Sequence, residues 1–431
     1  FGGGGGANQI GGLGGHGGFG GGGGGGATAG GGGGFGAGGG NGGVAGGNGG
    51  FGGSAGVRSG TAGNGAAFGG AIFAVDGATL TVTGDGELAG GSIVAGTNGG
   101  GSDPGQAFGT GAFLQGAGTL VLAPEAGRAQ VVTDALADMA GVVAAGYVPD
   151  DGTFDPGHDF WNLVKRGAGT TILGRTSEDA HAVGGPATIE DGTLELDGDL
   201  PYAALAVDGG TLSGTGTAGA ITLDAGTIAP GSADAPATLH AASLTWNGGV
   251  VHLRLGDDAI ALSGDLVRGS GDAFRFAFDD GAAPPQSGRT YTLATFAAAD
   301  GFTATDFTFD YAGSVAGFAG TFTLTATALQ FTVAQTSHVV TPTAGAHGTI
   351  APDAPQTVAD GATVAFTLTP DAGYRIDTVG GSCGGTLDGD VFTTAPVVAD
   401  CTVEATFAPV EDRIFADDFE APAGASARAD R

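Results

Sequence analysis

Glycine dominates the first seventy residues, and no other residue is harder to build into an ordered fold. The chain of 431 residues contains 96 glycines, and most of the opening stretch FGGGGGANQIGGLGGHGGFGGGGGGG consists of them. Glycine loses more backbone entropy on folding than any other residue and brings no side chain to bury. This tract must therefore be either disordered or packed in a way that only glycine permits.

Phenylalanine recurs through the tract at a nearly fixed interval. The intervals are 18, 16, 16 and 17 residues between Phe1, Phe19, Phe35, Phe51 and Phe68. A second stripe, with intervals of 18, 16 and 17 residues, consists of Ile10, Thr28, Val44 and Thr61. Such a period is typical of a solenoid, whose repeats stack on one another. We predict stacked coils over residues 1–68 with the phenylalanines as a core ladder. The alternative is a disordered Gly-rich linker.

Side-chain burial alone cannot stabilise such coils. Burying one phenylalanine contributes roughly 1.5–3 kcal/mol, whereas ordering each residue costs about 1–2 kcal/mol of backbone entropy. The remainder must come from hydrogen bonds between coils and from close backbone packing that only glycine allows. Walls of polyproline-II-like rather than β conformation would meet both requirements.

Short β-branched segments between glycine and aspartate turns continue the pattern in the middle of the chain. They include GTTIL (169–173), GTLEL (192–196), GTLSG (210–214) and GTIAP (226–230), of which the last three start 18 and 16 residues apart. Apolar residues show no helical spacing here, and strands bounded by such turns favour parallel winding. We predict an all-β fold with a parallel β-helix over residues 69–260.

Several of these segments carry a resemblance to a known family. GGAIFAVDGATLTV, LVKRGAGTTILG and ATIEDGTLELDGDL resemble the autotransporter-associated β-strand repeats of bacterial surface proteins. The resemblance covers residues 65–260 and implies a right-handed parallel β-helix that is exported to the surface of a Gram-negative bacterium. It implies an adhesin-like passenger and brings no catalytic residues with it.

The remainder of the chain divides into three parts. Residues 261–335 contain SGRTYTLATF and FTFDYAG, whose two-residue alternation predicts an antiparallel β cap for the open solenoid end. Residues 336–410 contain PDAGYRID and CTVEATF, which resemble the internalin-type bacterial B-repeat, a small β-rich module of extracellular proteins. Residues 411–431 are predicted to be a disordered tail. Because the chain begins with Phe, we expect a mature form or a fragment.

The two cysteines, Cys383 and Cys401, lie close together in the small C-terminal domain. Paired thiols in a chain that looks secreted predict a structural disulfide. Two buried free thiols are the alternative. The seven histidines are scattered and none pairs at metal-ligand spacing, so we expect no metal or cofactor site.

One acidic segment, PDDGTFDPGHDFW (149–161), is a candidate ligand loop. Loops that project from a rigid scaffold often carry binding residues. Its carboxylates could bind Ca²⁺ or a sugar, with two aromatic rings as a stacking surface. The candidates are Asp150, Asp151, Asp155, Asp159, Phe160 and Trp161. The alternative is a solvated loop rich in turns.

Charge and composition limit the function. A formal net charge of −31 disfavours nucleic-acid binding, and no apolar run is long enough for a membrane-spanning helix. We predict a secreted or cell-surface protein that is not an enzyme, with an adhesive or structural role. Its expected partners are glycans, host or sister-cell surfaces, or further copies of itself.

Two alternative functions remain open. An ice- or crystal-surface binder would carry a T-x-T ladder on consecutive coils, but Thr79, Thr81 and Thr83 provide such a run only once. A polysaccharide-degrading β-helix would need an acid and a base in one cleft, for which Asp155 and Asp159 are the candidates.

Overall fold

The structure is a computed structural model that describes residues 3–8, 12–97, 103–149, 154–174, 180–232, 235–315, 318–334 and 337–410. The chain forms two compact units, residues 1–333 and 334–431. Across the described residues, helical structure is confined to α1 (Met139–Ala144) and a 3₁₀ turn at Ala304–Asp306. The predicted all-β class is therefore confirmed.

The glycine tract is folded into stacked coils that lack regular β-strands. Leu13 bridges Ala29, and Ala29 bridges Ala45, so successive coils are 16 residues apart. Between two such segments the donors recur every third residue, as the N–H groups of 14, 17 and 20 donate to the carbonyls of 29, 32 and 35. A period of three is that of polyproline II. The tract is a solenoid of extended, polyproline-II-like segments.

Glycine is required because the segments touch backbone to backbone. A Cβ atom added to Gly14 would overlap the carbonyl oxygen of Gly24, and one added to Gly31 would overlap that of Gly15. At Gly22 the nearest atom would be 3.8 Å away, because this residue faces outward. Most positions of the three-residue period are thus closed to any side chain.

The phenylalanines of the tract are stacked ring on ring. The ring centroids of Phe19 and Phe35 are 5.1 Å apart with an interplanar angle of 7°, and those of Phe35 and Phe51 are 5.4 Å apart at 1°. Phe68 is tilted by 32° against Phe51 at 6.3 Å. Phe1 lies outside the described residues. The rings form a column along the coils.

The second stripe is not part of a core. Thr28 is exposed, and Val44 has 60% of its surface exposed. The Val44 N–H donates to the Thr28 carbonyl at 2.8 Å, so the two residues stack at an outer corner of consecutive coils. Ile10 lies outside the described residues.

From residue 67 onward the coils are built of β-strands. In chain order they are β1 Ala67–Phe68, β2 Ile72–Ala74, β3 Ala78–Thr83, β4 Gly86–Leu88, β5 Ala107–Phe108, β6 Ala112–Leu114, β7 Gly118–Ala123, β8 Ala129–Val132, β9 Leu136–Asp138, β10 Trp161–Lys165, β11 Thr170–Leu173, β12 Ala187–Ile189, β13 Thr193–Leu196, β14 Asp199–Leu200, β15 Leu205–Val207, β16 Thr211–Gly214, β17 Thr217–Leu223, β18 Thr227–Pro230, β19 Thr238–Trp246, β20 Val250–Leu255, β21 Ala259–Leu262, β22 Leu266–Arg268, β23 Phe274–Asp280, β24 Thr290–Thr295, β25 Ala299–Asp300, β26 Phe307–Tyr311, β27 Gly320–Leu324 and β28 Ala328–Val333.

These strands form the parallel sheets of a β-helix, as predicted. A nine-stranded sheet has the order β4-β8-β11-β13-β16-β18-β20-β23-β26, and all of its pairs are parallel. A longer, 14-stranded sheet includes the parallel path β3-β7-β10-β12-β15-β17-β19-β21-β24. Two small parallel sheets, β1-β5 and β2-β6-β9, complete the first coils.

The four repeated motifs stack on successive coils in one register. Thr170, Thr193, Thr211 and Thr227 are consecutive partners in the nine-stranded sheet. The next residue of each motif points inward and is buried, as Leu194, Leu212 and Ile228 are. The motif therefore alternates a hydroxyl outside with an aliphatic side chain inside.

The antiparallel cap is shorter than the sequence predicts. β23 and β26 extend the nine-stranded sheet with parallel pairing, and β24 pairs in parallel with β21. Antiparallel pairing is seen at the end of the long sheet, where β28 pairs with β24 and β27. A two-residue alternation is shared by parallel and antiparallel strands, so it could not place this boundary.

The solenoid interior is filled by aliphatic and aromatic side chains together with a few satisfied polar groups. Trp161, Trp246 and Phe276 are almost completely buried. Lys165, the single lysine of the chain, is also buried. Its Nζ donates to the carbonyls of residues 166, 167 and 191 at 2.7–3.0 Å. A buried ammonium is tolerated only with such partners.

The second unit is a small β domain with a disulfide. Its strands are β29 Ser337–Ala344, β30 Gly348–Ala351, β31 Gln356–Ala359, β32 Ala365–Pro370, β33 Tyr374–Gly380, β34 Gly385–Asp388, β35 Val391–Thr394 and β36 Cys401–Pro409. They form two four-stranded sheets, β31-β29-β36-β33 and β30-β32-β35-β34. Cys383 and Cys401 are joined as predicted, with their Cα atoms 4.9 Å apart.

Candidate ligand-binding surface

The acidic loop uses its described carboxylates to hold its own turn. Asp159 is buried, and its carboxylate accepts the Asp155 N–H at 2.8 Å. The Asp155 carboxylate accepts the Gly157 N–H at 2.9 Å. Asp150 and Asp151 lie outside the described residues. No group of three or more His, Cys, Asp or Glu side chains among the described residues is arranged to hold a metal ion.

The proposed stacking role of Trp161 is wrong. Trp161 opens β10, faces the interior and has no exposed surface. Its indole N–H donates to the Gln115 carbonyl at 3.2 Å. Phe160 is half-buried. The sequence WNLVK alternates apolar and polar residues from its first position, so the tryptophan belongs to the inward set of the strand.

A buried carboxylate that the sequence reading missed holds this region together. Asp138 accepts the N–H groups of Gly141 at 2.6 Å, Trp161 at 3.0 Å and Gly184 at 2.9 Å. It caps α1 and joins that helix to two other coils. Burial raises the pKa of Asp138 above its usual range, although the backbone N–H groups oppose this shift. An aspartate directly before the apolar run MAGVVA is the one sequence signal for such a cap.

The outer face of the nine-stranded sheet, which we call the hydroxyl face, presents the most regular polar surface. It begins with the file of four threonines, one on each coil. A depression of about 450 Å³ lies beside this file. It is lined by Thr170, Thr193, Glu195, Thr211, Ser213, Ala229, Pro230, Gly231, Ser232, His252, Arg254, Asp258, Asp279 and Asp280.

An ion pair makes one wall of the depression rigid. Arg254 donates to both carboxylate oxygens of Asp258, Nε to Oδ2 at 2.8 Å and Nη2 to Oδ1 at 3.0 Å. Arg254 Nη2 also donates to the Ala235 carbonyl at 3.0 Å. Bidentate pairs of this kind fix the orientation of both side chains. The Asp258 side chain is 3% exposed, so the arginine is the member that reaches the surface.

The remaining titratable groups give the depression an acidic character. His252 Nε2 lies 2.7 Å from Asp279 Oδ2. Bonds from Ser314 and Tyr311 lower the pKa of Asp280. Burial, together with the nearby Asp197 carboxylate, raises the pKa of Glu195.

Glu195 and Asp280 are too far apart to act on one glycosidic bond. They lie on β13 and β23, which are four strand spacings apart in the sheet, or roughly 19 Å at about 4.8 Å each. The two carboxyl groups of a glycoside hydrolase are typically about 5–9.5 Å apart. The pair therefore suits contacts with an extended ligand rather than cleavage of a single bond.

The comparisons with known proteins bear on the second unit. Residues 338–411 match the family model of the divergent InlB B-repeat domain. No curated protein matches the chain. The structure contains no helix, among the residues it describes, that could cross a membrane. The B-repeat match confirms the resemblance predicted for the C-terminal module, and it is compatible with an extracellular or surface repeat protein.

Proposed function

We propose that this chain is a non-enzymatic, adhesin-like surface protein that binds glycans through the hydroxyl face. We further propose that the solenoid is of the autotransporter-associated type and is displayed by a Gram-negative bacterium. The observation that carries the glycan proposal is the file of four threonines in one register beside a depression with fixed polar groups. Neither depends on catalysis.

The chemistry of the face favours neutral or amino sugars. Hydroxyl groups of Thr193, Thr211 and Ser213 can both donate and accept hydrogen bonds. Arg254 supplies fixed donors, and Glu195 and Asp279 supply acceptors. The chain as a whole carries a formal charge of −31, which repels anionic polysaccharides.

Affinity in such a site comes from repetition. Each hydroxyl contact contributes little, because hydrogen bonds to a ligand replace hydrogen bonds to water. A polymeric glycan that spans several coils makes the later contacts at high effective concentration, so weak contacts add up. The parallel ladder keeps the spacing of these contacts constant.

A glycan array probed with the whole chain tests this proposal. The double variant Thr193→Ala/Thr211→Ala should lose at least about tenfold in binding, the equivalent of about 1.4 kcal/mol. The matched control is Thr188→Ala/Thr222→Ala, which changes two half-buried threonines on β12 and β17 of the other sheet. Equal binding by the two double variants, or no glycan bound by the wild type, would contradict the proposal.

A crystal-surface binder is the second candidate, favoured by the threonine file itself. Two residues further along each strand the file reads Ile172, Glu195, Ser213 and Ala229. The T-x-T run of β3 pairs with Thr119, Val121 and Ala123. Neither sheet repeats T-x-T on adjacent coils. Ice recrystallisation in the presence of the wild type is the measurement, and the glycan proposal predicts no inhibition.

The non-enzymatic part of the proposal has its own test. Incubation with the glycans that the array identifies should release no reducing ends. Release that disappears in Glu195→Gln would replace the adhesive proposal with a polysaccharide-degrading one.

A further inference from the structure

The first coil of the β-helix has an open edge. Within the described residues, β2, β3 and β4 each pair with a strand of the following coil and with no strand on their other side. The inward side chains Leu80, Val82 and Leu88 are only half-buried, whereas Leu120 and Leu122 on the next coil are 3% exposed. Both the strand edge and the interior of the first coil therefore face outward.

An apolar cavity of about 220 Å³ lies inside this open coil. Its apolar walls are formed by Ile72, Leu80, Val82, Leu88, Leu120 and Leu122. Asp85, which also lines it, pairs with Arg128 at 2.9 Å. The glycine bundle does not pair with β3; its Phe19 and Phe35 rings contact Phe73 on the outside of β2 instead. A ligand for this end must supply both apolar groups and backbone hydrogen bonds, and a β-strand does so.

We propose that a second copy of this chain covers the open end, with the two β3 strands paired antiparallel across a two-fold axis. The other end of the long sheet closes with the β27–β28 hairpin, so head-to-tail stacking through the same sheet has no second open edge. A two-fold contact uses the same surface on both copies and closes the assembly. This interface is separate from the hydroxyl face and does not depend on the glycan proposal.

The sequence ATLTVT is self-complementary in one register. If Thr81 faces Thr81 of the second copy, Leu80 faces Val82 and Thr79 faces Thr83. All inward side chains then meet inward ones, and all three threonines meet threonines, a favourable cross-strand pair. Asp85 faces Gly77, so like charges are not opposed. A one-residue slip would set inward against outward residues.

Sedimentation of the whole chain tests the interface. We expect the wild type to be a dimer at micromolar concentration. Thr81→Lys places two ammonium groups face to face on an exposed edge and should give a monomer. The control is Thr245→Lys, a half-buried threonine of the same sheet away from the open edge, which should remain dimeric. A wild type that is monomeric at all concentrations, or a dimer unaffected by Thr81→Lys, overturns the proposal.

Cysteine trapping tests the register. The native cysteines are both in the Cys383–Cys401 disulfide, so an introduced thiol reports alone. Thr81→Cys should form a covalent dimer on mild oxidation, because opposed Cβ atoms lie about 4.5–5.5 Å apart. Thr79→Cys alone should not, whereas a mixture of Thr79→Cys and Thr83→Cys should. Crosslinking of Thr79→Cys as fast as Thr81→Cys overturns the register.

Discussion

The glycine tract and the β-helix have nearly the same coil length and opposite interiors. Leu13, Ala29 and Ala45 stack at steps of 16 residues, and Thr193, Thr211 and Thr227 stack at steps of 18 and 16. In the tract the space between segments is filled by backbone, and in the β-helix it is filled by side chains. Coil length is therefore independent of what fills the coil.

The difference lies in which atoms make the close contacts. In the tract, carbonyl oxygens occupy the space where Cβ atoms would be, and two hydrogen-bonded residues alternate with one outward residue in the best-connected segments. In the β-helix, aliphatic side chains such as Leu194 and Leu212 are stacked in the interior. The two halves should therefore respond oppositely to added and removed methyl groups.

The largest effect is expected from one added methyl group in the tract. Gly31→Ala places a Cβ on the carbonyl of Gly15, and the backbone cannot move without breaking hydrogen bonds on both sides. We expect slow amide exchange to be lost across residues 12–57. Gly22→Ala is the matched control, with 3.8 Å to its nearest atom. If both variants stay protected, backbone packing is not what holds the tract.

Removal of methyl groups should matter most in the β-helix. Leu212 has no exposed surface and stacks between Leu194 and Ile228. Leu212→Ala should lower the free energy of unfolding by roughly 2–5 kcal/mol, measured by denaturant titration. Its neighbour Thr211→Ala, which changes an outward side chain, should cost well under half as much. Equal losses would mean that the interior does not dominate stability here.

The Asp138 clamp should rank next. Asp138→Ala leaves three N–H groups without their acceptor, at about 1–3 kcal/mol for each that stays buried. We expect a loss of about 3 kcal/mol, reduced by water entry, in a denaturant titration. Asp138→Asn keeps one carbonyl oxygen and should lose less. If the alanine variant is no less stable than the asparagine variant, the clamp does not contribute as drawn.

A smaller effect is expected from pH. His181 is buried, and burial lowers its pKa below the usual range. The folded chain therefore holds it neutral, while the unfolded chain binds a proton below about pH 6.5. The free energy of unfolding should fall as the pH drops below 6.5, by at most about 1.4 kcal/mol per pH unit from this group.

Variants separate His181 from the other histidines. His181→Gln should flatten the pH dependence between pH 6.5 and 5, as followed by thermal unfolding. His240→Gln, at an exposed position, should leave the slope as it is in the wild type. A slope that survives His181→Gln would assign the acid sensitivity to another group.

The solenoid could be predicted because its signal is repeated. The phenylalanine period and the four motifs gave the coil length, and the alternation of Thr with Leu or Ile gave the inward face. The end of the parallel stack could not be predicted, since strands β23 and β26 alternate like antiparallel ones. Nor could sequence show that Trp161 starts an inward set.

The candidate site was the harder part to predict. The hydroxyl face brings Glu195, His252 and Asp279 together from three coils. Their meeting depends on the exact coil lengths between residues 195 and 279, including segments with no repeated motif. A local acidic cluster such as PDDGTFDPGHD is easier to notice in sequence, yet its described carboxylates hold their own turn.

Residue-resolved hydrogen exchange of the intact chain tests the central claim, that the glycine tract is a solenoid held by its backbone. The amides of Gly30, Gly31, Gly33 and Gly34 donate to backbone carbonyls and should exchange slowly, as those around Leu194 and Leu212 do. The outward amide of Gly22 should exchange fast. Complete exchange of all five glycines within seconds would contradict the account and make the phenylalanine period a feature of a disordered arm.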